Sequence, residues 1–203
     1  MPGGLVRSRI GVVGFVLLLA GATVARAQSA ADQGPQKGGT EVQVWTGVGH
    51  SVRGGISQTV VWNAGLRYGF ILTNAHGPGP LRGRFEYAVD AVPMYVIFQP
   101  RGATYGVGLN PFALKWLFDT SGRVAPYFDL GGGVLLTSSQ VPAGVSRVNF
   151  ASGPAVGVNV GRGKAHWSIE VRLAHISDAG LTDNNPGINV IQVRAGLGWF
   201  HPR

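Results

Sequence analysis

Apolar and polar residues alternate with a period of two through most of this chain, in runs separated by clusters of Gly, Pro, Asn and Asp. Eight runs stand out, at 41–49, 59–72, 84–98, 104–118, 124–137, 147–161, 164–177 and 188–200. In the second, Val60, Trp62, Ala64, Leu66, Tyr68 and Phe70 oppose Asn63, Gly65 and Arg67. In the last, Ile191, Val193, Ala195, Leu197 and Trp199 oppose Gln192, Arg194, Gly196 and Gly198. The alternation slips at Asn110-Pro111, which predicts a β-bulge in the fourth strand. No stretch carries a helical period of useful length.

The polar face decides which side is inside. It holds small residues together with Glu86, Asp90, Glu170, Arg172 and Arg194. Such charges are tolerated in a narrow interior where they pair with one another. Apolar side out, small and charged side in, strands of about ten residues and an even strand number predict an eight-stranded antiparallel transmembrane β-barrel. Aromatic residues near run ends (Trp45, Trp62, Trp116, Trp167, Trp199, Phe200) fit interfacial girdles. With eight strands both termini share the periplasmic side, and the seventh strand runs outward.

Composition refines the address. Arg7 and Arg9 precede a short apolar run, and Ala25-Arg26-Ala27 supplies a small-x-small cleavage site, so residues 1–27 read as a signal peptide. Residues 28–40 read as a flexible N-terminal leader and 41–203 as the barrel. The formal charge of +8 falls to +5 without Arg7, Arg9 and Arg26, a balance that suits anionic lipid and offers no basic cluster for nucleic acid. There is no cysteine, so neither disulfides nor thiolate-held metal enter. No cofactor or metal is implied. The 33 glycines follow no collagen period and are spread through strands, as a crowded barrel interior requires.

Candidate chemistry lies in 164–189, KAHWSIEVRLAHISDAGLTDNNPGIN. Trp167, Ile169, Val171 and Leu173 define the apolar face, and the same parity carries on to His175 and Ser177. A histidine and a serine at a strand end are ordinarily only polar termini. At the outer rim of an apolar wall, however, they form a pair suited to attack on a lipid ester. A serine hydroxyl needs a neighbouring base, and His175 is the one near it. His50, His76, His166 and His201 read as surface or interfacial residues.

The string His175-Ile-Ser177-Asp178-Ala179-Gly180, followed by Asn185-Pro186-Gly187-Ile188-Asn189, resembles the H-x-S-N-A-G…N-P-G segment of the lipid A 3-O-deacylase (PagL-like) family of outer-membrane acyl hydrolases. FEYAVDAVP, YGVGLNPFALKW and PYFDLGGGVLL extend the resemblance over most of the mature chain. The resemblance implies a serine esterase of the Gram-negative outer membrane that removes the 3-O acyl chain from the lipid A of lipopolysaccharide. Ser177 would be the nucleophile and His175 the base, with Asn185 and Gly180 on the oxyanion or substrate side. The family's first Asn is replaced here by Asp178. Its orienting glutamate falls on Asn189, which is left to orient His175 as in Cys-His-Asn hydrolases, with Asp183 as the alternative. The partners implied are lipid A and outer-membrane lipids, with no nucleic acid; a homo-oligomer is left open. Two readings compete: a structural outer-membrane barrel with weak or no catalysis, and a secreted soluble barrel for a small apolar ligand.

Overall fold

The computed structural model describes residues 34–203 except Arg101, Arg162 and Asn184. The expected signal peptide, residues 1–27, and residues 28–33 of the expected leader lie outside the described residues. Eight strands follow in order: β1 (Thr40–Val52), β2 (Val60–Ile71), β3 (Gly83–Gln99), β4 (Gly102–Phe118), β5 (Val124–Val141), β6 (Ser146–Gly161), β7 (Ala165–Ser177) and β8 (Ile188–His201). Each pairs antiparallel with its neighbour, and β1 pairs with β8, closing the barrel. A closed barrel leaves no strand edge unpaired, the condition for β-structure in hydrocarbon.

Parity sets the wall. Val44, Val48, Leu66, Tyr68, Ile169, Val171, Leu173, Ile191 and Val193 are exposed, whereas Gln43, Arg67, Glu170, Arg172 and Gln192 are buried. A soluble barrel would bury the former set, so the soluble reading fails on this surface. The bulge at Asn110-Pro111 is present: the β4–β5 register shifts between Leu109 and Phe112. A further shift occurs between Val92 and Tyr95, where Pro93 and Met94 both face outward.

Inside, charge is matched by charge. Arg67 lies between Asp90 (Nε to Oδ1, 2.7 Å) and Asp129 (Nη1 to Oδ2, 2.9 Å). Arg172 joins Asp129 and Glu170, and Lys115 joins Glu41 and Glu86. The pairing anticipated for Glu86, Asp90, Glu170, Arg172 and Arg194 is therefore observed, with Arg194 contributing at 3.8 Å from Glu170.

Three aromatic assignments are corrected. Trp45 points inward, where its ring lies 4.1 Å from the Arg194 guanidinium, and Gly65 clears the space its indole fills. Phe200 is also internal and stacks on His166, which is buried against Glu41 and is not a surface residue. Aromatic character alone does not reveal which side of the wall a ring takes; strand parity does. Toward the end opposite the termini the interior becomes apolar, with Ile97, Leu135, Ile176, Ile188 and Val190 packed together. That cluster fills the interior at the ends of β7 and β8.

Candidate active site

The β7–β8 ladder places His175 directly opposite Asn189. Their side chains meet on the outer face, His175 Nδ1 to Asn189 Oδ1 at 2.7 Å. The amide orientation is fixed from its other end: Asn189 Nδ2 donates to the Gly54 carbonyl at 2.8 Å. A carbonyl can only accept, so Nδ2 must face Gly54 and Oδ1 must face the imidazole. His175 therefore donates from Nδ1–H, and its Nε2 lone pair remains to accept a proton. That is the tautomer a general base requires.

Two loops hold this arrangement. The β1–β2 loop supplies Gly54, and its Ile56 N–H donates to the Gly187 carbonyl at 2.9 Å. Gly187 has φ +62°, and a Cβ there would come within 2.7 Å of His175 Cε1, so only glycine lets the β7–β8 loop close on the imidazole edge. Gly54 and Gly187 contact Asn189 and His175, and parity analysis does not find them. The signal for them is faint: a Gly-Gly pair in one loop and a Pro-Gly pair in another.

Ser177 ends β7 on the same side as His175, opposite Phe150 of β6. It is 8 % exposed, less open than its parity suggests, at the point where β7 gives way to the β7–β8 loop. Among the described residues no hydrogen bond joins Ser177 to His175. In a free enzyme such bonds are often long, tightening when substrate arrives.

Asp178 organises the loop. Its Oδ1 accepts from Gly180 N–H at 3.0 Å, and Oδ2 accepts from the Thr182 N–H at 3.0 Å and the Thr182 hydroxyl at 2.6 Å. The Thr182 hydroxyl, with the N–H groups of Gly180, Thr182 and Leu181, holds the Asp178 carboxyl below the usual aspartate range. The N–H of Gly180, expected on the oxyanion or substrate side, is bound to Asp178. Ala179 (φ +55°) and Gly180 (φ +83°) make the turn that allows it. Asn185 is tied in through its Oδ1, which accepts the Asp178 N–H at 3.3 Å, leaving the Nδ2 donors for another acceptor. Asp183 is exposed in the loop, and the Nδ1 of His175 is occupied by Asn189, so the alternative orienting residue is not the one in contact. Among the described residues no group of three or more His, Cys, Asp or Glu side chains is arranged to hold a metal.

The chain matches the family model described as lipid A 3-O-deacylase (PagL) over residues 51–198. No match was found among curated proteins. Among solved structures, that of the outer membrane enzyme PagL is similar with a TM-score of 0.59 and 19 % identity, over 76 % of this chain and 97 % of that one. The outer membrane protein OprG from Pseudomonas aeruginosa is similar with a TM-score of 0.51 and 12 % identity, over 84 % of this chain and 99 % of that one. At such identities these two likenesses establish the barrel fold and nothing finer. The family match covers β2 to β7 entirely, includes both loops of the site, and carries the outer-membrane address with it. This chain belongs to the lipid A 3-O-deacylase (PagL) family of Gram-negative outer-membrane β-barrels.

Proposed function

We propose that the protein is a carboxylic ester hydrolase that removes the 3-O acyl chain from lipid A at the outer leaflet. The observation that carries this reading is the relay Gly54 carbonyl, Asn189 amide, His175 imidazole, which leaves His175 Nε2 free to accept a proton beside Ser177. In the first step the Ser177 Oγ attacks the ester carbonyl carbon and its proton passes to His175 Nε2. The tetrahedral oxyanion draws hydrogen bonds from Asn185 Nδ2 and backbone N–H groups. Collapse breaks the bond to the sugar oxygen, which takes the proton from His175 and leaves as the alcohol. Water, deprotonated by the same histidine, then releases the fatty acid and restores Ser177.

Asn189 orients the imidazole without adding negative charge, so it selects the tautomer but does not stabilise the imidazolium. That feature favours the second reading, a barrel of this fold with weak catalysis. One experiment separates the two. Lipid A is incubated with the purified barrel in detergent, and released fatty acid and residual lipid A are measured by mass spectrometry. Loss of one acyl chain with wild type and none with Ser177→Ala or His175→Ala is expected, with heat-modifiable folding unchanged in both variants. Activity that persists in Ser177→Ala overturns the nucleophile. No turnover by wild type leaves the structural barrel.

A further inference from the structure

At the opposite end of the barrel, the mouth that the termini share contains a cavity of about 590 Å³. Its wall includes Arg84, Asp119, Arg123, Asn159, His166 and Phe200. None of these residues takes part in the chemistry at the other rim, and two of them are chemically incomplete. Asn159, 4 % exposed near the end of β6, has neither its Nδ2 nor its Oδ1 in a hydrogen bond. His166, equally buried, donates from Nε2 to Glu41 Oε1 at 2.7 Å, while its Nδ1 has no partner. Buried polar groups are almost always satisfied, so an amide with donor and acceptor both idle on a cavity wall is a recognition element awaiting a group that can donate and accept. A hydroxyl does both.

The field over this mouth is one-sided. Among the described residues the terminal rim carries Lys37, Arg82, Arg84, Arg123, Lys164 and Arg203, with Glu41 buried just inside and paired to Lys115, against the exposed carboxylate of Asp119. Arg82 and Arg84 share that carboxylate, at 3.2 and 2.9 Å, so it cannot neutralise both. Among the described residues the opposite rim carries Arg53 and Arg147 against Asp178 and Asp183. Among the described residues the positive charge is therefore concentrated around a cavity that also holds unsatisfied buried amide and imidazole groups. A ring of cations raises the local concentration of anions, and guanidinium groups match phosphate oxygens.

We propose that the periplasmic mouth is a second binding site, for a phosphate ester that carries free hydroxyl groups, of the glycerol phosphate type. The phosphate lies toward Arg123 and Arg84, and the hydroxyls reach inward to Asn159 and His166 Nδ1. Two sources offer this chemistry, the headgroup of an anionic glycerophospholipid in the inner leaflet and a soluble periplasmic glycerol phosphate.

The test uses the folded mature protein in nanodiscs of phosphatidylcholine, titrated calorimetrically with glycerol 1-phosphate. Saturable one-to-one binding is expected, weakened by added salt. It should weaken roughly tenfold or more in Arg123→Gln, which alters only an exposed side chain, and in Asn159→Leu. Asn159→Asp keeps the shape of the amide and sets a carboxylate against the phosphate, so it serves if the leucine variant fails to fold. Ser177→Ala should bind as wild type does, which keeps this site independent of the esterase reading. Repeating the titration in nanodiscs containing phosphatidylglycerol identifies the source: apparent affinity falls if the lipid headgroup already occupies the mouth, and holds if the ligand is the soluble ester. Absence of saturable binding in phosphatidylcholine nanodiscs overturns the site. So does equal binding by wild type and the Asn159 variants. Inorganic phosphate binding as tightly as glycerol 1-phosphate overturns the hydroxyl recognition.

Discussion

Asn189 performs two jobs with one amide, accepting from His175 and donating to Gly54. Asn189→Glu offers the imidazole a negative charge but has no proton for the Gly54 carbonyl. The expected result is faster ester hydrolysis in a barrel whose loop contact is weaker by about 1 kcal/mol, the usual net value of a hydrogen bond. Turnover of lipid A and the midpoint of heat-modified mobility, measured on the same preparations, test both halves; Asn189→Ala should lose on both. Asp178 makes a pH prediction. Its folded carboxyl titrates below the ordinary aspartate range, so it contributes loop stability above that range, and this is lost as pH falls through the lowered value. Thr182→Val removes the first cause of the shift. A carbon-detected titration of the Asp178 carboxyl should then show its midpoint move up toward the ordinary aspartate value. An unmoved midpoint would mean that the backbone N–H groups suffice.

Strands carry the next set of consequences. All eight runs visible in the sequence are strands, because alternation at period two is a local property that a pleated backbone expresses directly. Their ends were less legible: β5 continues to Val141 and β1 to Val52, where pairing with a neighbour extends a strand past its own pattern. Outward parity in β7 and β8 puts Val171 opposite Val193 on the lipid face. Val171→Arg should destabilise the inserted barrel by roughly 2–4 kcal/mol in a bilayer unfolding titration, the cost of an arginine near the midplane. The same change at the strand's end should cost little, since depth sets the penalty. Equal effects at both depths would contradict the placement of the membrane belt.

At the scale of the whole molecule, the barrel is held from inside by shared carboxylates. Asp129 accepts from both Arg67 and Arg172, so Asp129→Ala removes a charged partner from two buried guanidinium groups at once, leaving Arg67 to Asp90 and Arg172 to Glu170. A loss of about 3–5 kcal/mol is expected for breaking such a buried pair, readable as a lowered urea midpoint in detergent. Replacing Arg67 and Asp90 together by apolar residues of similar volume should cost far less, because no charge is then left alone. A double change as damaging as Asp129→Ala would show that the network contributes more than charge matching.

The sequence by itself determined the strand number, the side of each strand that meets lipid, and the candidate pair His175 and Ser177, since each follows from residue type and parity over a few positions. It also supplied the interior charges but not their partners, which come from strands as distant in sequence as β2 and β5. Only the tertiary structure decided that Trp45 meets Arg194, that His166 meets Glu41 and Phe200, and that a carbonyl from the β1–β2 loop orients Asn189. The physical reason is common to all of these. A side chain's face is a local matter, but the partner of a donor or acceptor is set by barrel closure, which brings residues 54 and 189 together across 135 positions of chain.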